Sequence, residues 1–326
     1  MYDSDRLLVG AKRNSYTVYD AMFVFGLAYI AAQVFGSMGL IAFDSEIVSS
    51  VMIQAAFFLT VCAYSSGRGI NMRQAAKYNK CNPVFILLAI AAVPFALALV
   101  LPLTDLWLGF LSLLGLNPDT AGSSESYSVF GWVIYTITVS VGPMLGEEAL
   151  MRGVVANGLA DRKSKLSAIF ISAVLFTALH GNAVQFVNPF VSGAIMALLM
   201  FKSGSILPGM IMHFTNNLLV TVIGLTCDAQ VSGFISDNAL WVALVGAIGL
   251  AAIVFAVIKL GRTVKLTEKP VKEDCSLPVP EETPPALRFA YAECFAINRR
   301  HERRSRIVFV LALASCAISF ALSLFI

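Results

Sequence analysis

Nine runs of mostly apolar residues divide this 326-residue chain, at residues 18–41, 46–64, 84–103, 129–151, 166–181, 186–201, 205–225, 238–260 and 307–326. A helix needs about 20 such residues to cross a hydrocarbon core ~30 Å thick. Inside lipid every backbone N–H and C=O must find its partner within the segment, so the spanning elements are helices. The fold expected is an all-α, polytopic transmembrane bundle of eight core spans with a ninth at the C-terminus. A further apolar stretch, 107–116, is too short to cross and reads as an interfacial or re-entrant helix.

The composition points the same way. The chain is 58% hydrophobic and 13% charged, where a soluble domain carries about 25% charged residues. A soluble enzyme, a nucleic-acid binder and a disordered chain are all excluded on that ground. The six cysteines show no CxxC pair, which supports neither a disulfide framework nor a thiolate zinc site.

Lysine and arginine collect on cytoplasmic loops. All 23 lie at the N-terminus (Arg6, Lys12, Arg13), after the second run (Arg68, Arg73, Lys77, Lys80), after the fourth (Arg152, Arg162, Lys163, Lys165), after the sixth (Lys202), or between Lys259 and Arg306. The alternate loops hold Asp44, Glu46, Asp105, Asp119, Glu125, Asp228 and Asp237, and no basic residue. This alternation expects a cytoplasmic N-terminus. The chain then divides into N-terminal helices at 1–126, a helical core at 127–261, a cytoplasmic Pro-rich and basic linker at 262–306, and a last helix at 307–326. Pro270, Pro278, Pro280, Pro284 and Pro285 stiffen the linker. Its basic end, Arg299 to Arg306, flanks the last helix, and His301 within it reads as solvated.

Ionisable groups inside a bilayer are expensive, so each is a functional candidate. They gather in the second half: Glu147 and Glu148 near the end of the fourth run, His180 at the end of the fifth, and His213, Asn216 and Asn217 in the seventh. The first three runs contribute Asp20, Gln33 and Gln54 but no comparable grouping. Glu148 and Arg152 are spaced i, i+4 with the acid first, the favourable order for an ion pair. Glu147 points about 100° away around the helix and has no local partner, which suits a general base. Gly142, Pro143 and Gly146 are expected to loosen the helix just before the acids. His213 and Asn217 stack on one face, where both can hydrogen-bond a single ligand or developing oxyanion. Phe176 lies one turn before His180 and reads as packing for its ring.

The motifs E-E-x-x-x-R (Glu147, Glu148, Arg152), F-x-x-x-H (Phe176, His180) and H-x-x-x-N (His213, Asn217) occur in that order. Together they resemble the CPBP family, the CAAX prenyl endopeptidases and bacteriocin-processing intramembrane proteases also called the Abi family. The resemblance covers roughly residues 127–260, and it departs at Met151, where many members have Phe. It implies hydrolysis of a peptide bond in a membrane-associated peptide or protein, in an integral protein of a prokaryotic plasma membrane. Carried over residue by residue, Glu147 activates a water and His180 positions it. His213 and Asn217 stabilise the oxyanion, while Glu148, Arg152 and Phe176 support them.

The resemblance leaves metal dependence open. The zincin motif H-E-x-x-H is absent. His180, His213 and Glu147 could still hold zinc across three helices, but one glutamate cannot easily serve as both ligand and base. A metal-free glutamate mechanism with no cofactor is therefore expected, with zinc as the alternative. Two other functions compete. An ion-coupled transporter should show related broken segments in both halves. A catalytically silent immunity or scaffold protein should tolerate loss of Glu147.

Overall fold

The computed structural model describes residues 13–116, 118, 127–263 and 285–324, with the backbone alone for 263 and 285–298. Arg6, Lys12, Asp119, Glu125 and the proline-rich residues 264–284 lie outside the described residues. The chain is a helical bundle. In order come α1 (Val18–Phe43), α2 (Glu46–Gly67), α3 (Pro83–Leu113), α4 (Val129–Glu148), α5 (Lys165–His180), α6 (Val187–Ser203), α7 (Leu207–Thr226), α8 (Asp228–Thr263) and α9 (Pro285–Leu322). Seven of these are long and apolar enough to cross a membrane, whereas α5 and α6 are shorter, at 16 and 17 residues.

Local chemistry sets the helix ends. Thr17 and Asp20 form a reciprocal capping box at the start of α1. Ser45, Asn82, Ser128 and Ser164 accept hydrogen bonds from the first turns of α2, α3, α4 and α5. Gly181 and Gly204 end α5 and α6 at φ of 56° and 70°, a conformation that side chains rarely adopt.

The helices meet where small residues let backbones approach, as lipid-embedded helices do. A Cβ on Gly39 of α1 would lie 2.5 Å from Ser49 Cα of α2. Ser49 Oγ also donates to the Gly36 carbonyl at 2.9 Å. Gly26 of α1 gives way to Val308 of α9, and Gly246 of α8 to the α3 backbone at Ala98 and Leu99.

Four expectations are corrected. Residues 107–113 are no separate interfacial helix but the end of α3, which runs through Pro94 and Pro102. Trp107 anchors that end: its Nε1 donates to the Ala183 carbonyl at 2.8 Å and its ring stacks on Phe186. The supposed linker is helical from Pro285 onward, so the basic stretch is the first part of α9. His301 is not solvated. Its Nε2 lies 3.3 Å from Asp20 Oδ1 and 3.1 Å from the Tyr64 hydroxyl, so it fastens α9 to α1 and α2. Finally, the turn before the eighth run is itself helical from Asp228, with a kink at Asn238 where that run begins.

The charge alternation makes a topology test direct. A reporter fused after Pro285 should read cytoplasmic and one fused after Ile326 external. Two cytoplasmic readings would remove α9 from the list of crossings.

Candidate active site

α4 brings the two glutamates into the centre of the bundle, and the helix changes character there. It stays α-helical through Pro143 as far as Glu148, while the Val139 carbonyl, which Pro143 cannot serve for want of an N–H, accepts from Asn217 Nδ2 instead. The widening comes after the acids: Ala149–Ala156 form a π-helix before a last α turn, Asn157–Leu159. Hydrogen bonds from i to i+5 are rare and recur at functional sites. Asn157 Nδ2 donates to the carbonyls of Arg152 and Gly153 and so steadies the widened turns.

Glu148 is fully buried, and its Oε1 accepts from two sides. Arg152 Nη1 donates at 2.6 Å and His213 Nδ1 at 2.9 Å. Arg152, 1% exposed, also reaches the Gly193 carbonyl at 3.3 Å, and its guanidinium lies 4.3 Å from the Phe176 ring centre. That ring meets the His180 and His213 rings edge to face at 5.0 and 5.7 Å. Phe176 therefore ties together three of the polar groups rather than one.

The acceptors fix the imidazole tautomers. A carbonyl oxygen can only accept, so His180 Nδ1, 2.8 Å from the Phe176 carbonyl, carries a proton. His213 Nδ1 carries one for the same reason, since it faces the Glu148 carboxylate. In a neutral ring Nε2 is then the free acceptor of each histidine.

Glu147 takes Oε1 to Gln54 Nε2 of α2, at 2.7 Å. Its Oε2 is buried without a hydrogen-bond partner and lies 3.8 Å from His213 Nε2. That separation is too long for a direct bond and short enough for one bridging water. Asn217 Nδ2 donates to the Val139 carbonyl at 2.9 Å, which leaves its second N–H available, and Asn216 Nδ2 donates to Asn217 Oδ1. Glu147, His180, His213 and Asn217 all line one cavity of about 810 Å³.

The sequence-derived residues thus converge. Glu148 and Glu147 approach opposite ring nitrogens of His213, Nδ1 and Nε2 respectively. Among the described residues no three His, Cys, Asp or Glu side chains are grouped to hold a metal.

Gln54 and the π-helix escaped the sequence reading. Gln54 did carry a signal, since a carboxamide in the middle of an apolar span needs a hydrogen-bond partner. Its distance of 93 residues from Glu147 hid which one.

Comparison with known proteins places the same residues in one segment. The family model described as Rce1-like, type II CAAX prenyl endopeptidase Rce1-like, matches residues 129–219, from the start of α4 into α7. No curated protein and no solved structure matches the chain.

Proposed function

We propose, from the Rce1-like match over residues 129–219, that this membrane protein is an intramembrane endopeptidase of the CPBP family. It hydrolyses a peptide bond of a membrane-associated protein or peptide, in CAAX-type, bacteriocin or leader processing, through a water activated by Glu147. The observation that carries this reading is Glu147, which lines the cavity that His180, His213 and Asn217 share and whose buried Oε2 has no hydrogen-bond partner. A buried lone pair without a partner costs stability, and such groups concentrate where chemistry uses them.

In this reading a water lies against Glu147 Oε2 and is positioned by His180 Nε2. Its proton passes to Glu147 as its oxygen bonds to the scissile carbonyl carbon. The oxyanion so formed accepts from the second N–H of Asn217. It also accepts from His213 Nε2–H when that ring carries both protons, a charge that Glu148 balances from the other side. Collapse of the adduct breaks the C–N bond, and Glu147 returns the proton to the leaving amine. The Arg152, Phe176 and Glu148 contacts keep these groups in place.

Comparing the peptides released by cells carrying the wild type with those carrying Glu147→Ala tests the reading. Fragments present only with the wild type support it, and identical sets overturn it. Metal dependence has its own test. Protein stripped with a chelator should keep its rate on such a peptide and contain no stoichiometric zinc. Activity lost on chelation and restored by zinc, with zinc absent from His180→Ala, would overturn the metal-free step while leaving the hydrolase standing.

A further inference from the structure

We infer that Gln54 is a positioning residue of this site: it engages one oxygen of Glu147 and thereby selects the other as the base. The inference rests on the hydrolase reading and extends the machinery to α2, outside the segment 129–219 that the family model matches.

Gln54 is 9% exposed in the middle of an apolar span. Its Nε2 lies 2.7 Å from Glu147 Oε1. A carboxylate only accepts, so the amide must donate, and a hydrogen bond to a charged acceptor is roughly twice as strong as a neutral one.

α4 is hollowed to admit this side chain. Gly142 and Gly146 are one turn apart on the same face. A Cβ on Gly142 would sit 2.9 Å from Gln54 Cγ. One on Gly146 would sit 2.6 Å from the Gln54 carbonyl oxygen and 2.7 Å from its Oε1. Any larger residue at either position would push the amide off Glu147. The two glycines that the sequence presents as helix looseners are therefore the floor on which Gln54 lies.

The consequence is an asymmetric carboxylate. With Oε1 held, the group cannot rotate freely about its last bond, and Oε2 stays turned toward His213 Nε2, 3.8 Å away. Holding a reacting atom in one orientation is worth rate rather than affinity. Gln54 also lines the cavity, so its effect falls on the same space that substrate enters.

The experiment has an arm that needs no substrate. The carboxylate stretching band of Glu147 is isolated as the infrared difference between a protein and its Glu147→Gln partner. In Gln54→Leu that band should move to the position of an unbonded carboxylate. In parallel, kcat on an internally quenched prenylated peptide should fall about tenfold to a hundredfold with KM unchanged, as expected for one charge-assisted hydrogen bond. Should Gln54→Leu fail to fold, Gly142→Ala keeps the donor but displaces it, and should move the band in the same direction with a smaller loss of kcat. A band unmoved in every folded variant overturns the inference, as does an unchanged kcat where the band has moved. If the band moves but the wild type does not cleave the prenylated peptide, the contact stands and the CAAX-type reading falls.

Discussion

Glu147→Gln is expected to yield a folded, membrane-inserted protein whose hydrolysis is reduced by at least about 10²–10⁴-fold, the usual contribution of a positioned general base. The amide has the size of the carboxylate, and its carbonyl oxygen can still accept from Gln54 Nε2. Nothing else in the described structure hydrogen-bonds to Glu147, because Oε2 has no partner and His213 Nε2 is 3.8 Å away. The packing is therefore kept while the base is lost. Yield, detergent-solubilised melting temperature and peptide hydrolysis measured on one preparation decide the matter. A variant that melts like the wild type and still cleaves would remove Glu147 from the reaction.

Glu148→Gln should fail in the opposite way. The Glu148 carboxylate is fully buried and shared between the Arg152 guanidinium and the His213 ring. Neutralising it leaves Arg152 charged and 1% exposed without its carboxylate, held by neutral groups alone: the new amide oxygen, the Gly193 carbonyl and the face of Phe176. Breaking a buried pair from one side typically costs about 3–5 kcal/mol, because the remaining charge has no counterpart. The expected result is a large drop in folded protein, seen as loss of yield and a lower melting temperature. What folds should also hydrolyse poorly, since His213 loses the acceptor that orients its ring. Equal yields and equal residual rates for the Glu147 and Glu148 variants would refute the division of labour between the two neighbours.

Much of this architecture was legible from residue order. The apolar runs determine a helical membrane bundle because lipid offers backbone groups no partner, and that physics acts within single segments. The i, i+4 spacing of Glu148 and Arg152 is likewise local and could be read as an ion pair before any fold was known. The three motifs singled out Glu147, His180, His213 and Asn217, and the bundle brings them to one cavity.

Where the sequence reading departed from the structure, partners distant in the chain decided the outcome. His301 looked solvated among arginines, yet α9 returns it to Asp20, 281 residues away. Residues 107–113 continue α3 rather than forming a helix of their own, and Trp107 there donates to the Ala183 carbonyl, a contact with no sequence signature. Gly142 and Gly146 looked like flexible points, but they are the space that Gln54 fills.

By itself, then, the sequence determined that the apolar runs are helical, that Glu148 and Arg152 can pair, and which residues are too costly to bury idly, since each follows from a residue and its near neighbours. Only the tertiary structure decided that Glu148 serves both Arg152 and His213, that Gln54 holds one oxygen of Glu147, and that the other oxygen is left free. Hydrogen bonds between helices depend on which helices pack together, and that is set by close approaches summed over the whole bundle rather than by any one segment.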